Sequence, residues 1–134
     1  MERLLYISES RIDHLDADSF ETEVVVAARI KNAVLGLSGA LLFTGTHFAQ
    51  ILEGPKTALN AMMHSLQTDD RHENITVIER SAINTRRFAD WQMAYFGPSQ
   101  FVSRHVTRLL NSASPSEQQR ASDWLTDLAH EFRL

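Results

Sequence analysis

LSGALLFTGTHFAQILEGP, residues 37–55, decides how the rest of this sequence folds. Two apolar runs flank Thr44-Gly45-Thr46, a tight turn, so residues 37–44 and 47–53 should pair as a β-hairpin. Side chains alternate between the two faces of a strand. Phe48, Gln50 and Leu52 therefore share one face, and Ala49, Ile51 and Glu53 share the other. Gln50 is a polar residue on an apolar face, and a buried amide without a partner costs about 1–3 kcal/mol. A partner for Gln50 has to come from elsewhere in the chain.

Working outward, Gly54-Pro55 closes the hairpin and opens a helix, with proline suited to the first helical position. Leu59, Met62, Met63 and Leu66 then recur at helical spacing along one face. TDDRHEN is a polar exit, ITVIERSAI (75–83) alternates as a strand, and FADWQMAYF (88–96) reads as another after a connection holding Arg86 and Arg87. On the N-terminal side RLLYIS (3–8) is a strand, and residues 18–31 read as a helix. Asp18 and Glu21 give that helix a capping start, and Phe20, Val24, Ala27 and Ala28 its apolar stripe, with Gly36 beyond its end. After Gly97-Pro98 come two more helices. One carries Phe101, Val102, His105, Val106, Leu109 and Leu110. The other opens at Ser114-Pro115-Ser116-Glu117 and carries Ala121, Trp124, Leu125, Leu128 and Phe132.

The order is β-α-β-β-α-β-β followed by two helices, an α+β domain with a mixed sheet of about five strands. Leu4 and Tyr6 against Leu5 and Ile7 make the first strand apolar on both sides, so both faces of the sheet must be covered. The two internal helices can cover one face and the C-terminal pair the other.

Composition sets the outer limits. The 134 residues suit one domain, and 43% apolar content is that of an ordinary globular protein. With no cysteine there is no thiol nucleophile, disulfide or zinc–thiolate site. The six histidines form no ligand-spaced pair and read as scattered surface residues. Net charge of −4 argues against a nucleic-acid partner. MERLLYIS begins no signal peptide and no membrane span follows, which makes a cytoplasmic location the default expectation.

Among candidate sites, Glu53 reads as a strand-end carboxylate near a helix N-terminus rather than a catalytic acid, and Arg86 and Arg87 as an exposed loop pair. Met62, Met63, Trp91 and Met93 read as core. Tyr6 stands out, because a buried phenol usually finds a hydrogen-bond partner. On pattern alone, a structural Tyr6–Gln50 hydrogen bond is favoured. Asn32 and the Asp69-Asp70-Arg71-His72 cluster both follow helices and could flank the same sheet face. Such groups around an apolar cleft suit a flat ligand rich in heteroatoms, a flavin or a purine.

RLLYIS, ARIKNAVLGLSGALLFTGTHFAQILEGP, LQTDDRH and RRFADWQM, in this order, together resemble the BLUF family of blue-light sensors using FAD, over about residues 2–96. The resemblance implies a ferredoxin-like fold with FAD (FMN possible) between the two internal helices. It implies that Tyr6 is the electron and proton donor to excited flavin and that Gln50 lies between Tyr6 and the flavin N5/C4=O edge. Asn32 would hold the C4=O and N3 side, and Asp69, Arg71 and His72 would approach the pyrimidine edge and ribityl chain. Val24 and Leu66 would sandwich the ring, and Trp91 and Met93 would relay the signal. Lys31 departs from the polar group many members carry there, and a lysine could reach a flavin carbonyl or the phosphates.

The expectation is a photoreceptor and not an enzyme. Residues 1–97 form the flavin-binding sensor and residues 98–134 a two-helix extension on the sheet. With no room for a catalytic output domain, the output passes to a downstream signalling protein or a change of homo-oligomer. The rivals are a small acylphosphatase-like hydrolase using Asn32 and an arginine, and a ligand-free protein interaction module.

Overall fold

The computed structural model describes residues 1–10, 26–43, 46–68, 72–89 and 94–96, with five single positions further on: Thr107, Asn111, Gln119, Asp123 and Asp127. The elements are β1 (Glu2–Ser10), α1 (Val26–Leu35), β2 (Ser38–Phe43), β3 (His47–Gly54), α2 (Lys56–Gln67), β4 (His72–Ala82) and β5 (Ala94–Phe96). They form one sheet in the order β4-β1-β3-β2-β5. The first four strands are antiparallel neighbours, and the three-residue β5 lies parallel to β2.

The expected hairpin is present, with Leu41 opposite Gln50 and Phe43 opposite Phe48. Gly39 is required within it. A Cβ there would stand 1.8 Å from the Ile51 carbonyl oxygen, so β2 and β3 approach closely only because that residue has no side chain. β1 lies between β3 and β4, with Tyr6 opposite both Gln50 and Val77.

Alternation divides the sheet into two buried faces. Leu4, Tyr6, Leu41, Phe48 and Leu52 face the helices and form one core with Leu37 and with Leu59, Met62 and Leu66 of α2. Leu5, Ile7, Ala40, Leu42, Ala49 and Ile51 occupy the reverse face and are equally buried. Arg80 of β4 joins three elements on the helix side, donating to Glu2 of β1 at 3.1 Å and to Asn60 of α2 at 2.7 Å.

The helices begin and end where local chemistry dictates. α1 stops at Gly36, whose φ of +71° places it in the left-handed region. The Leu37 N–H donates to Asn32 O at 2.8 Å and the Gly36 N–H to Ala33 O at 3.3 Å, so two terminal carbonyls are satisfied. Pro55 precedes α2 as its N-cap, one position earlier than expected, and its carbonyl accepts from the Leu59 N–H at 3.0 Å.

Two other expectations are corrected. Ala27 is exposed, as are Val26, Ile30 and Val34, and α1 turns Ala28, Asn32 and Leu35 inward instead. Phe88 and Ala89 belong to the connection after β4 rather than to a strand beginning at residue 88, and the last described strand covers only 94–96. Residues 18–25, the turn at 44–45 and most of the C-terminal extension lie outside the described residues. The five single C-terminal positions are helical.

Candidate functional site

Gln50 finds its partner directly across the sheet. Tyr6 and Gln50 are paired across β1 and β3, and the Tyr6 hydroxyl donates to Gln50 Oε1. Tyr6 is fully buried and Gln50 is 5% exposed, so the bond is made in a dry setting where a lost partner is costly.

Asn32 is brought to the same face by α1 and is fully buried. Its backbone carbonyl caps the helix through Leu37, while its side-chain Oδ1 accepts no hydrogen bond from the described residues. Leu66 is buried in the core on that face. Lys31 is exposed and donates to Ser65 Oγ, joining α1 to α2. Of His72 the backbone alone is described, at the start of β4. Val24, Asp69, Arg71, Trp91 and Met93 lie outside the described residues.

The donors and acceptors suit a flavin edge. The Asn32 oxygen is a buried acceptor, which matches the N3–H of an isoalloxazine ring. The Gln50 NH2 is a donor, which matches its N5 and C4=O acceptors. The surrounding apolar side chains match its faces, as small-molecule sites require. Among the described residues no group of three or more His, Cys, Asp or Glu could hold a metal ion. No described helix is long and apolar enough to cross a membrane.

Two residues discounted in the sequence have definite structural work. Glu53 does sit at the end of β3, one residue before Gly54 and three before α2, and it is fully buried on the reverse face. Its Oε2 accepts from Arg3 Nε at 2.9 Å and from the Arg87 N–H at 3.1 Å, and its Oε1 accepts from the Phe88 N–H at 2.7 Å. Arg86 is only half-exposed and donates to Ser38 Oγ at 3.0 Å and to Gly36 O at 2.8 Å. The signal for Glu53 was the one that exposed Gln50, a polar residue alternating with buried apolar neighbours.

The α+β sheet thus carries a buried phenol–amide pair, with a buried asparagine supplied by α1. The family profile of BLUF, sensors of blue-light using FAD, matches residues 1–94, and the chain belongs to this family. The blue light- and temperature-regulated antirepressor BluF of Escherichia coli is 34% identical over 93 residues, 69% of this chain and 23% of that protein. The photoactivated adenylate cyclase subunit beta of Euglena gracilis is 30% identical over 93 residues, 69% of this chain and 11% of that protein. The chain thus spans less than a quarter of either relative. The dark-state structure of the BLUF protein BlrB aligns with a TM-score of 0.70 at 29% identity, covering 90% of this chain and 92% of that one.

Proposed function

We propose that this chain is a blue-light photoreceptor whose switch is the Tyr6–Gln50 pair. The observation that carries the reading is the hydrogen bond between these two side chains on a buried sheet face. Asn32 accepts from the flavin N3–H, Gln50 donates to the N5/C4=O edge, and Val24 and Leu66 sandwich the ring. Asp69, Arg71 and His72 approach the pyrimidine edge and ribityl chain, and Lys31 lies within reach of a ring carbonyl or the phosphates.

The bound flavin supplies blue-light absorption and, once excited, a strong electron acceptor. Tyr6 gives up an electron and its phenol proton and recovers both, so no net oxidation remains. Gln50 carries the proton between phenol and ring and ends rotated or tautomerised, with its hydrogen bonds redistributed. One hydrogen bond is worth only about 0.5–1.5 kcal/mol net, so the change acts by biasing an element that already has two arrangements. The segment holding Trp91 and Met93, next to β5, is the proposed element. Residues 1–97 act as the sensor and residues 98–134 as the output, which meets a signalling partner or alters a homo-oligomer.

The purified protein is expected to be yellow and to shift its absorption reversibly to the red under blue light. Gln50→Leu is expected to keep flavin and lose the shift. A normal shift in that variant, or a colourless protein that cannot be reconstituted with flavin, would overturn the reading. The acylphosphatase-like alternative requires Asn32 and an arginine at one site. Among the described arginines, Arg3, Arg80, Arg86 and Arg87 are engaged with Glu53, Glu2, Ser38 and Asp127 respectively, so none of these four is turned to Asn32.

A further inference from the structure

Glu53 lies three residues beyond Gln50 on β3 and points to the opposite side of the sheet. It is fully buried, and it lies outside the Tyr6–Gln50–Asn32 group. A buried carboxylate persists only where donors compensate for its lost hydration. Arg3 supplies two, Nε at 2.9 Å and the guanidinium Nη2 at 2.7 Å. The others are the backbone N–H groups of Arg87 and Phe88, at 3.1 and 2.7 Å. The connection after β4 is thereby held to the strand that carries Gln50 by charge-assisted bonds, the strong kind.

The same connection is held at its other points. Phe88 is fully buried, and Arg86 reaches back to Gly36 O and Ser38 Oγ beyond the end of α1, the helix that supplies Asn32. Outward, the Arg87 guanidinium pairs with Asp127 in the C-terminal part of the chain. Glu79, opposite Leu5 and so on the reverse face, accepts from Gln119 at 3.0 Å. A continuous path therefore leads from Gln50 along β3 to Glu53, through the Arg87 backbone and side chain, to Asp127.

We infer that Glu53 is a positioning residue of the light switch, coupling the place of β3 at Gln50 to the C-terminal segment through Arg87. This rests on the photoreceptor reading above and adds a route over the reverse face, separate from the relay assigned there to the segment holding Trp91 and Met93. The links differ in strength as a coupler requires. The Glu53 carboxylate cannot release its donors cheaply, so the backbone at 87–88 follows β3. The Arg87–Asp127 pair is partly exposed, 37% and 58% for the two side chains, and is the link whose occupancy a small displacement changes.

The test uses the full chain loaded with flavin and compares light with dark. Absorbance reports the switch, and hydrogen–deuterium exchange of the peptide containing residues 119–127 reports the output. In the unaltered protein both respond to light. Glu53→Gln places an NH2 where one oxygen now accepts, and is expected to keep the red shift and lose the light-dependent exchange difference. Arg87→Ala leaves every bond to the Glu53 carboxylate in place and is expected to do the same, with Arg87→Lys restoring part of the response. Should Glu53→Gln fail to fold, Arg87→Ala decides alone. A normal exchange response in Arg87→Ala refutes the coupling, as does a red shift in the unaltered protein with no exchange change at 119–127. Absence of any red shift in the unaltered protein refutes the photoreceptor reading instead.

Discussion

Removing one half of the Tyr6–Gln50 pair should harm the protein more than removing both. Tyr6→Phe deletes the phenol oxygen and leaves Gln50 Oε1 without its donor on a fully buried face. Gln50→Leu leaves the Tyr6 hydroxyl without its acceptor. Each single change should cost about 1–3 kcal/mol, the desolvation penalty of one stranded polar group. In the double variant both groups are apolar and similar in shape to those replaced, so that penalty largely disappears. The singles then sum to about 2–6 kcal/mol while the double stays near 1. Urea unfolding of flavin-loaded protein in darkness measures all three, and each single should move the midpoint by about 1 M at an m-value of 1–3 kcal/mol/M. Flavin affinity must be measured for each variant, since a tenfold loss alone removes about 1.4 kcal/mol at saturation. Once that linkage is subtracted, additivity within about 0.5 kcal/mol would refute the reasoning, because it would mean that the two groups do not depend on each other.

The two glycines of the α1–β2 region should respond differently to alanine. Gly39→Ala forces a methyl against the Ile51 carbonyl and should cost about 3 kcal/mol or more as the strands part. Gly36→Ala meets open space but keeps a φ of +71°, and should cost only about 1–2 kcal/mol; urea midpoints in the reverse order would contradict this account. At the far edge of the sheet, the hydrogen bond from Arg80 holds the Glu2 carboxyl below the ordinary glutamate value, its charge adding to the effect and desolvation opposing it. The folded-state value is depressed, so the contribution is present above the unfolded pKa and fades as pH falls through the folded one. Carboxyl NMR titration should show Glu2 titrating low, with Arg80→Ala moving its midpoint upward; an unmoved midpoint would count against the pairing.

The hairpin was legible because a glycine turn and two alternating runs leave few other pairings, and it placed Gln50 correctly on a buried face. Hydropathy alone could not orient α1. Val26, Ile30 and Val34 mark one apolar side, but the helix turns Asn32 inward and leaves that side exposed. A polar group wanted by a binding site competes with apolar burial for the inner face, and periodicity carries no sign of which wins. The strand expected from residue 88 failed for a related reason. Phe88 is apolar and buried, yet it is held by a carboxylate from β3 rather than by a neighbouring strand. Glu53 shows what was overlooked: its partners lie 50 and about 34 residues away, so spacing gave no hint of them.

The placement of β1 between β3 and β4 also governs how the protein is assembled. The β2–β3 hairpin can form from neighbouring residues, whereas Tyr6 must find Gln50 across 44 residues of chain. The Tyr6–Gln50 pair is therefore split between a hairpin of local contacts and a strand whose partners are distant in sequence. On the proposed reading, the flavin site is complete only once β1 has joined β3.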